Sequence, residues 1–146
     1  MLKIPIDILV VDDEKDFVEM LSLRLEEAGH RVRTAYDGDA GLAALEEAEA
    51  DVVVLDIRMP GKDGITVLKG IKNRHPIVEV ILLTGHGTID TAVEGLKSGA
   101  FDYVQKPARF DELLDKLHAA RHRKAEHEER IRRAEARLLL RQSGDI

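Results

Sequence analysis

The chain reads as a doubly wound α/β domain, a parallel sheet with helices on both faces. Short apolar, β-branched runs alternate five times with amphipathic stretches, and the central runs are apolar throughout, as strands covered on both faces must be. Right-handed crossovers between consecutive parallel strands then leave a doubly wound sheet as the simplest topology.

In chain order, Ile6 to Val11 is the first strand, and Glu14 to Ala28 the first helix, with Phe17, Leu21 and Leu25 on one face and Gly29 as its terminator. Arg31 to Ala35 alternates weakly as a second strand, and Asp39 to Glu47 is a small Ala-rich helix. Val52 to Leu55 is a fully apolar strand; Gly61, Asp63 and Gly64 mark a loop before a helix over Ile65 to Asn73. Val80 to Leu83 is the fourth strand. Thr88 caps a helix whose Ile89, Val93 and Leu96 are expected to pack inward, leaving Thr91, Glu94 and Lys97 on the surface. Asp102 to Gln105 closes the sheet, and a long helix starts near Arg109.

The bulk properties bound the function. One domain with a short appendage fits 146 residues, and the 44% hydrophobic fraction suits a globular core built from Val, Ile, Leu and Ala, because aromatics make up only 3%. The absence of cysteine excludes disulfides, thiolate zinc sites and a Cys nucleophile. The start at Met1–Pro5 does not resemble a signal peptide, and no apolar run reaches the roughly 20 residues that span a bilayer, so a soluble, cytoplasmic protein without membrane contact is expected. Before Ala108 there are 12 basic and 20 acidic side chains, against 10 and 8 from Ala108 onward. An acidic body argues against direct nucleic-acid binding and suits a cation.

In open parallel sheets, function gathers at the carboxyl ends of the strands, where the strand order switches. The first strand ends in Asp12-Asp13, the third in Asp56, the fourth in Thr84 and the fifth in Lys106-Pro107. The second offers nothing chemical, as an edge strand would in the order 2-1-3-4-5. Taken singly, each residue has a plainer reading: an Asp capping a helix, a turn Thr, a solvated Lys, a helix-start Pro. All five at the carboxyl ends of alternating strands are not expected by chance. Three carboxylates repel one another, and a hard divalent cation such as Mg²⁺ (magnesium), which prefers oxygen ligands, offsets that repulsion. Asp56 could then act as nucleophile toward a phosphoryl group, with Lys106 neutralising the phosphoryl oxygens and Thr84 donating a hydrogen bond to one of them.

At these residues the sequence resembles the receiver domain of two-component response regulators. The resemblance runs from about Asp7 to Leu117 and rests on ILVVDDE at 8–14, VVLDIRMPGKDG at 53–64 and LLTGHGTIDTAVEGLKSGAFDYVQKP at 82–107. The last stretch is most similar to receivers of nitrogen-regulation-type transcriptional activators. The resemblance implies a flavodoxin-like (βα)5 fold, with a receiver domain over 1–121; the helical extension expected over 122–146 departs from the family pattern and is read from composition. It implies Asp12, Asp13, Asp56 and the backbone carbonyl of Arg58 as Mg²⁺ ligands, and Asp56 as phosphoacceptor. Thr84 and Tyr103 would be the switch pair, Lys106 the partner of the phosphate, and the Lys106–Pro107 bond cis. Gly85 would leave phosphoryl access, and Arg58 and His86 stand where the family tunes dephosphorylation. The partner would be a sensor histidine kinase or a histidine phosphotransfer protein, and the chain would be a switch, not an enzyme beyond its own phosphorylation and slow dephosphorylation.

Other aspartate or phosphate chemistries fit less well. A haloacid-dehalogenase-type phosphatase wants a second acid two residues after its nucleophile, where this chain has Arg58. A flavin carrier wants a hydroxyl- and glycine-rich loop after the first strand, where Asp12-Asp13-Glu14 repels phosphate, and the dinucleotide glycine fingerprint is missing.

The last helix outruns the receiver, with no Gly or Pro until Gly144. A 3–4 ladder runs Leu113, Leu117, Ala120, Lys124, His127, Ile131, Ala134, Leu138. Six of the eight are apolar, compatible with a coiled-coil seam interrupted by Lys124 and His127. A self-associating helix, a solvated helix and a junction to a further output domain all fit this pattern. A homodimer through either the helix 4–strand 5–helix 5 face or this helix is the expected assembly. His118, His122 and His127 specify no metal geometry.

Overall fold

The computed structural model describes residues 4–85 and 89–142. The alternation read from the sequence becomes β1 (Asp7–Val11), α1 (Lys15–Glu27), β2 (Arg31–Ala35), α2 (Gly38–Glu47), β3 (Val52–Asp56), α3 (Gly64–Arg74), β4 (Glu79–Thr84), α4 (Ile89–Lys97), β5 (Asp102–Gln105) and α5 (Phe110–Gln142). The five strands are parallel in the order β2-β1-β3-β4-β5. Expected and observed elements agree to within a residue or two at their ends. The Thr88 cap, His86, Gly144 and the Met1–Lys3 start lie outside the described residues.

Strand alternation splits the core into two layers. Leu9, Val11, Val53, Leu55, Val80 and Leu82 face α2 and α3, meeting Leu45, Val67, Leu68 and Ile71. Ile8, Val10, Val52, Val54, Ile81 and Leu83 face α1 and α5, meeting Val18, Leu21, Leu25, Leu113 and Leu117. Because β1 and β3 are buried on both faces, their backbones are held in fixed register, Val11 opposite Leu55, and their carboxyl ends emerge side by side.

The caps follow the local chemistry. The Asp63 carboxylate accepts from the Ile65 and Thr66 amides at the start of α3, and that of Asp37 accepts from the Ala40 amide at the start of α2. Gly29 ends α1 with a positive φ of 96°, a conformation that favours glycine.

Two sequence expectations are corrected. In α4, Ile89, Val93 and Leu96 do not pack inward: they are 60%, 43% and 38% exposed, and the buried residues are Ala92 and Gly95. The helix rests on the sheet through its small residues, and a Cβ at Gly95 would collide with the Leu82 side chain. Close approach therefore turns the large apolar side chains outward. In α1, Val18 with Leu21 and Leu25 forms the buried face, while Phe17 is only half-buried.

The ladder on α5 serves two environments. Leu113, Leu117, Ala120 and Lys124 are buried against the body. Lys124 interrupts the apolar pattern because its ammonium reaches the Asp51 carboxylate at 3.1 Å, beneath the amino end of β3. Arg121 meets the same carboxylate at 3.3 Å, and Arg123 meets Glu79 at 3.3 Å. Ile131 onward is exposed to Gln142. No helix among the described residues is long and apolar enough to cross a membrane.

Truncation separates the two kinds of apolar residue. Leu117→Ala is expected to cost about 2–5 kcal/mol in urea unfolding, whereas Val93→Ala on the exposed stripe of α4 is expected to stay within about 0.5 kcal/mol of the parent.

Candidate functional site

The site is built from strand ends. Asp12 and Asp13 follow β1, Asp56 is the last residue of β3, Thr84 the last of β4, and Lys106 follows β5 by one residue. Adjacency of β1 and β3 brings the acidic groups together, so that carboxylate oxygens of Asp12, Asp13 and Asp56 all lie within 4.8 Å of one another. Asp12 is fully buried and Asp56 is 6% exposed, while Asp13 faces solvent. From the far side of the sheet Lys106 reaches in, its ammonium 2.9 Å from Asp12 Oδ2 and 3.8 Å from Asp56 Oδ2.

Backbone geometry holds each group in place. The Arg58 amide donates to Asp56 Oδ1 at 3.2 Å, and the Glu14 amide donates to Asp12 Oδ1 at 2.9 Å. The Lys106 amide donates to the Thr84 carbonyl at 2.6 Å, carrying the β4–β5 pairing one residue past β5. The Lys106–Pro107 bond is cis. Gly64 lies directly behind Asp56: a Cβ there would stand 2.7 Å from the Asp56 carbonyl oxygen and 2.6 Å from Ile57 Cα, so only glycine fits.

The electrostatics are unbalanced. Burial, then the charge of Asp12, push the Asp56 carboxyl up to about 6, and the further charge of Asp13 adds to this; Lys106 and the Arg58 amide only partly offset them. Burial opposes the charge on Lys106, but its hydrogen bond to Asp12 and the charges of Asp56, Asp12 and Glu14 outweigh it, and its pKa is raised. One ammonium among three clustered carboxylates leaves negative charge unmet. The donor set is all oxygen, partly open to water through Asp13, and suits a hard divalent cation.

The other candidates sit around this cluster. Thr84 is buried beside Lys106. Tyr103 lies opposite Leu82, half-buried against the layer that faces α2 and α3, with the Lys116 ammonium 5.8 Å from its ring. Tyr103 is thus two residues back along β5 from the Thr84–Gln105 pair and not part of the acidic cluster. The Arg58 side chain is exposed, and Gly85 has open space where a Cβ would be. Two groups were not singled out from the sequence. Glu14 makes a second contact to the Lys106 ammonium at 3.4 Å, and the Phe17 ring lies 4.6 Å from it. The signal for both was available: Glu14 directly follows the acidic pair, and Phe17 is one helical turn further on.

A family model for the response regulator receiver domain matches residues 8–118. The chain belongs to that family. It is 42% identical over 120 residues to the transcriptional regulatory protein ZraR of Salmonella typhimurium, covering 82% of this chain and 27% of that protein. It is 42% identical over 110 residues to the nitrogen assimilation regulatory protein NtrX of Azorhizobium caulinodans, covering 74% and 24%. Among solved structures, the receiver domain of NtrX from Brucella abortus superimposes with a TM-score of 0.77 at 41% identity, covering 80% of this chain and 98% of that one. The receiver thus spans about a quarter of the length of the curated relatives it matches. The NtrX proteins among these relatives make this receiver similar to those of nitrogen-regulation-type regulators.

The raised pKa of Asp56 fixes the sign of a pH effect. The folded carboxyl holds its proton more tightly than the unfolded one, so the contribution of Asp56 to stability falls as pH rises from the ordinary carboxylate range to about 6 and is level above that. In the presence of a chelator, Asp56→Asn is expected to stabilise the fold at pH 7.5 by roughly 2–3 kcal/mol, with the gain closing toward pH 4. Urea unfolding at the two pH values reads it.

Proposed function

We propose that this receiver is a cytoplasmic, phosphorylation-dependent switch whose Asp56 takes a phosphoryl group from the phosphohistidine of a sensor histidine kinase or a histidine phosphotransfer protein. The observation that carries the reading is the convergence of Asp12, Asp13, Asp56 and Lys106 on one partly buried rim, with more negative charge than that ammonium can balance.

Asp12, Asp13 and Asp56, with the backbone carbonyl of Arg58, are the proposed ligands of Mg²⁺. When bound, the ion supplies positive charge against the phosphoryl oxygens. A carboxylate oxygen of Asp56 attacks phosphorus in line. The new O–P bond forms as the P–N bond to the partner's imidazole breaks, and the electron pair returns to that nitrogen, which takes a proton. Lys106, already 3.8 Å from Asp56, pairs with a phosphoryl oxygen. Thr84 donates its hydroxyl proton to another. Movement of Thr84 toward the phosphoryl group lets Tyr103 turn inward from its half-buried position, and the α4–β5–α5 surface changes with it. The exposed Ile89, Val93 and Leu96 give that surface apolar character. Slow hydrolysis of the acyl phosphate resets the switch, and the chain's own chemistry ends there.

Residues 1–121 are assigned to the receiver and 122–146 to an extension, helical as far as Gln142, whose first turn is tied back to the body by Arg123 and Lys124. The chain self-associates as a homodimer, through the α4–β5–α5 face or through the extension, and direct nucleic-acid contact is not part of the acidic receiver's role.

Incubated with a small phosphodonor and Mg²⁺, the protein should gain the mass of one phosphoryl group. Asp56→Asn should gain none, and Lys106→Ala should react roughly 10²-fold more slowly. Equal modification of Asp56→Asn would refute the assignment. In a separate thermal-shift measurement, Mg²⁺ should raise the melting temperature of the parent and leave that of Asp13→Asn nearly unchanged.

A further inference from the structure

The Lys106 ammonium is pulled by several anions, and not equally toward the place where phosphoryl chemistry needs it. Asp12 Oδ2 accepts from it at 2.9 Å and Glu14 Oε1 at 3.4 Å, while Asp56 Oδ2, on the phosphoacceptor, is the most distant of the three at 3.8 Å. Glu14 is 66% exposed and competes with water for the same charge, so it is a weak and displaceable tether. A lysine stem is flexible, and ordering it costs rotamer entropy. Fixing the backbone through the Lys106 amide and the Thr84 carbonyl leaves the far end of the side chain still to be held.

One further neighbour is not an anion. Phe17, in the first turn of α1, is half-buried against the core layer that α1 and α5 cover, and the Lys106 ammonium lies over its ring, 4.6 Å from the centroid. That is inside the range in which an aromatic face attracts a cation. Met20, Gly85, Pro107 and Ala108 continue an apolar groove around the ring and the lysine stem, and the Lys106 side chain keeps only 20% of its surface in water. Partial desolvation strengthens the attraction over that of an open surface. The ring also differs in kind from a carboxylate. A carboxylate takes up an N–H of the ammonium and repels an incoming phosphoryl group. An aromatic face does neither: it holds the charge in place and leaves the donors for phosphoryl oxygens.

We propose that Phe17 is a positioning residue for the phosphoryl chemistry of Asp56, its ring face seating the Lys106 ammonium over the acidic rim. The proposal deepens the reading of Asp56 as phosphoacceptor and rests on it. The seat acts through Lys106 alone and touches neither the phosphoryl group nor the carboxylates. When a phosphoryl group arrives, the ammonium gives up Glu14 and turns its freed N–H to a phosphoryl oxygen, without leaving the ring.

The rate of phosphoryl uptake from a small phosphodonor with Mg²⁺, followed by intact mass, tests it without any docking partner. Phe17→Tyr keeps the aromatic face and should react at close to the parent's rate. Phe17→Leu keeps apolar bulk but has no face, and should react on the order of tenfold more slowly. On a Lys106→Ala background the same change should slow the reaction hardly further, because the ring works through the ammonium. Phenylalanine analogues with increasing ring fluorination at position 17 keep the shape while draining electron density from the face. Their rates should fall step by step, where a packing role would leave them level. This series decides the matter even if Phe17→Leu fails to fold. A second readout needs no phosphodonor: the ε-methylene protons of Lys106 should show an upfield ring-current shift in NMR spectra, kept in Phe17→Tyr and lost in Phe17→Leu. Level rates across the fluorinated series, a full additional loss on the Lys106→Ala background, or no ring-current shift would overturn the proposal. A parent that takes up no phosphoryl group would instead sink the Asp56 reading, and the positioning role with it, while the ring-current shift would still be present.

Discussion

Carboxylates crowded at the carboxyl rim of a parallel sheet dominate the physics of this molecule. Asp12 and Asp56 are buried close together because β1 and β3 are neighbours and covered on both faces, so neither backbone can withdraw to relieve the repulsion. Among the described residues, Lys106 is the one ammonium that reaches both. Its position depends in turn on β5 pairing with β4 and on the amide bond from Lys106 to the Thr84 carbonyl. The apolar strands, the glycine behind Asp56 and the packing of α1 and α5 all hold charges where water alone would separate them. Proteins tolerate such a cost where a ligand relieves it, and the proposed cation would do so, while the phosphoryl group would draw on the positive charge of that cation and of Lys106.

The other end of the sheet is balanced. Asp51, at the amino end of β3, is met by Arg121 and Lys124, and Glu79, the first residue of β4, by Lys72 and Arg123. These carboxylates have cationic partners of their own and serve attachment. α5 spans both ends: it begins just after Lys106 and Pro107 at the acidic rim, and its middle is pinned at the opposite one. What leaves the body as the extension therefore has a direction set by those ion pairs. The apolar stripe of α4, Ile89, Val93 and Leu96, lies on the surface.

Much of this was legible from residue order. Short apolar runs for the strands and a period near 3.6 for the helices placed the ten elements seen among the described residues. The rule that parallel sheets act at their carboxyl ends is enough to gather Asp12, Asp13, Asp56, Thr84 and Lys106. The failures share a cause. Ile89, Val93 and Leu96 have the spacing of a buried face, but periodicity states that a stripe exists and not which way it turns; Ala92 and Gly95 took the inner side because small residues permit close approach to the sheet. Lys124 looked like a defect in a seam and is a buried ion pair, since its partner Asp51 lies 73 residues earlier. Glu14 and Phe17 were unremarkable until Lys106 arrived beside them from the far strand.

Local order in the chain thus settled the elements, their sequence along the sheet and the kinds of groups at its rim, because backbone preference and burial patterns act between near neighbours. Folding in three dimensions settled distances, orientations and charge balance: how close three carboxylates come, which face of α4 is hidden, and where α5 passes from a covered stripe to a bare one. Those quantities belong to pairs of residues far apart in the chain, and an interaction energy between two groups exists only once the rest of the molecule has set their separation.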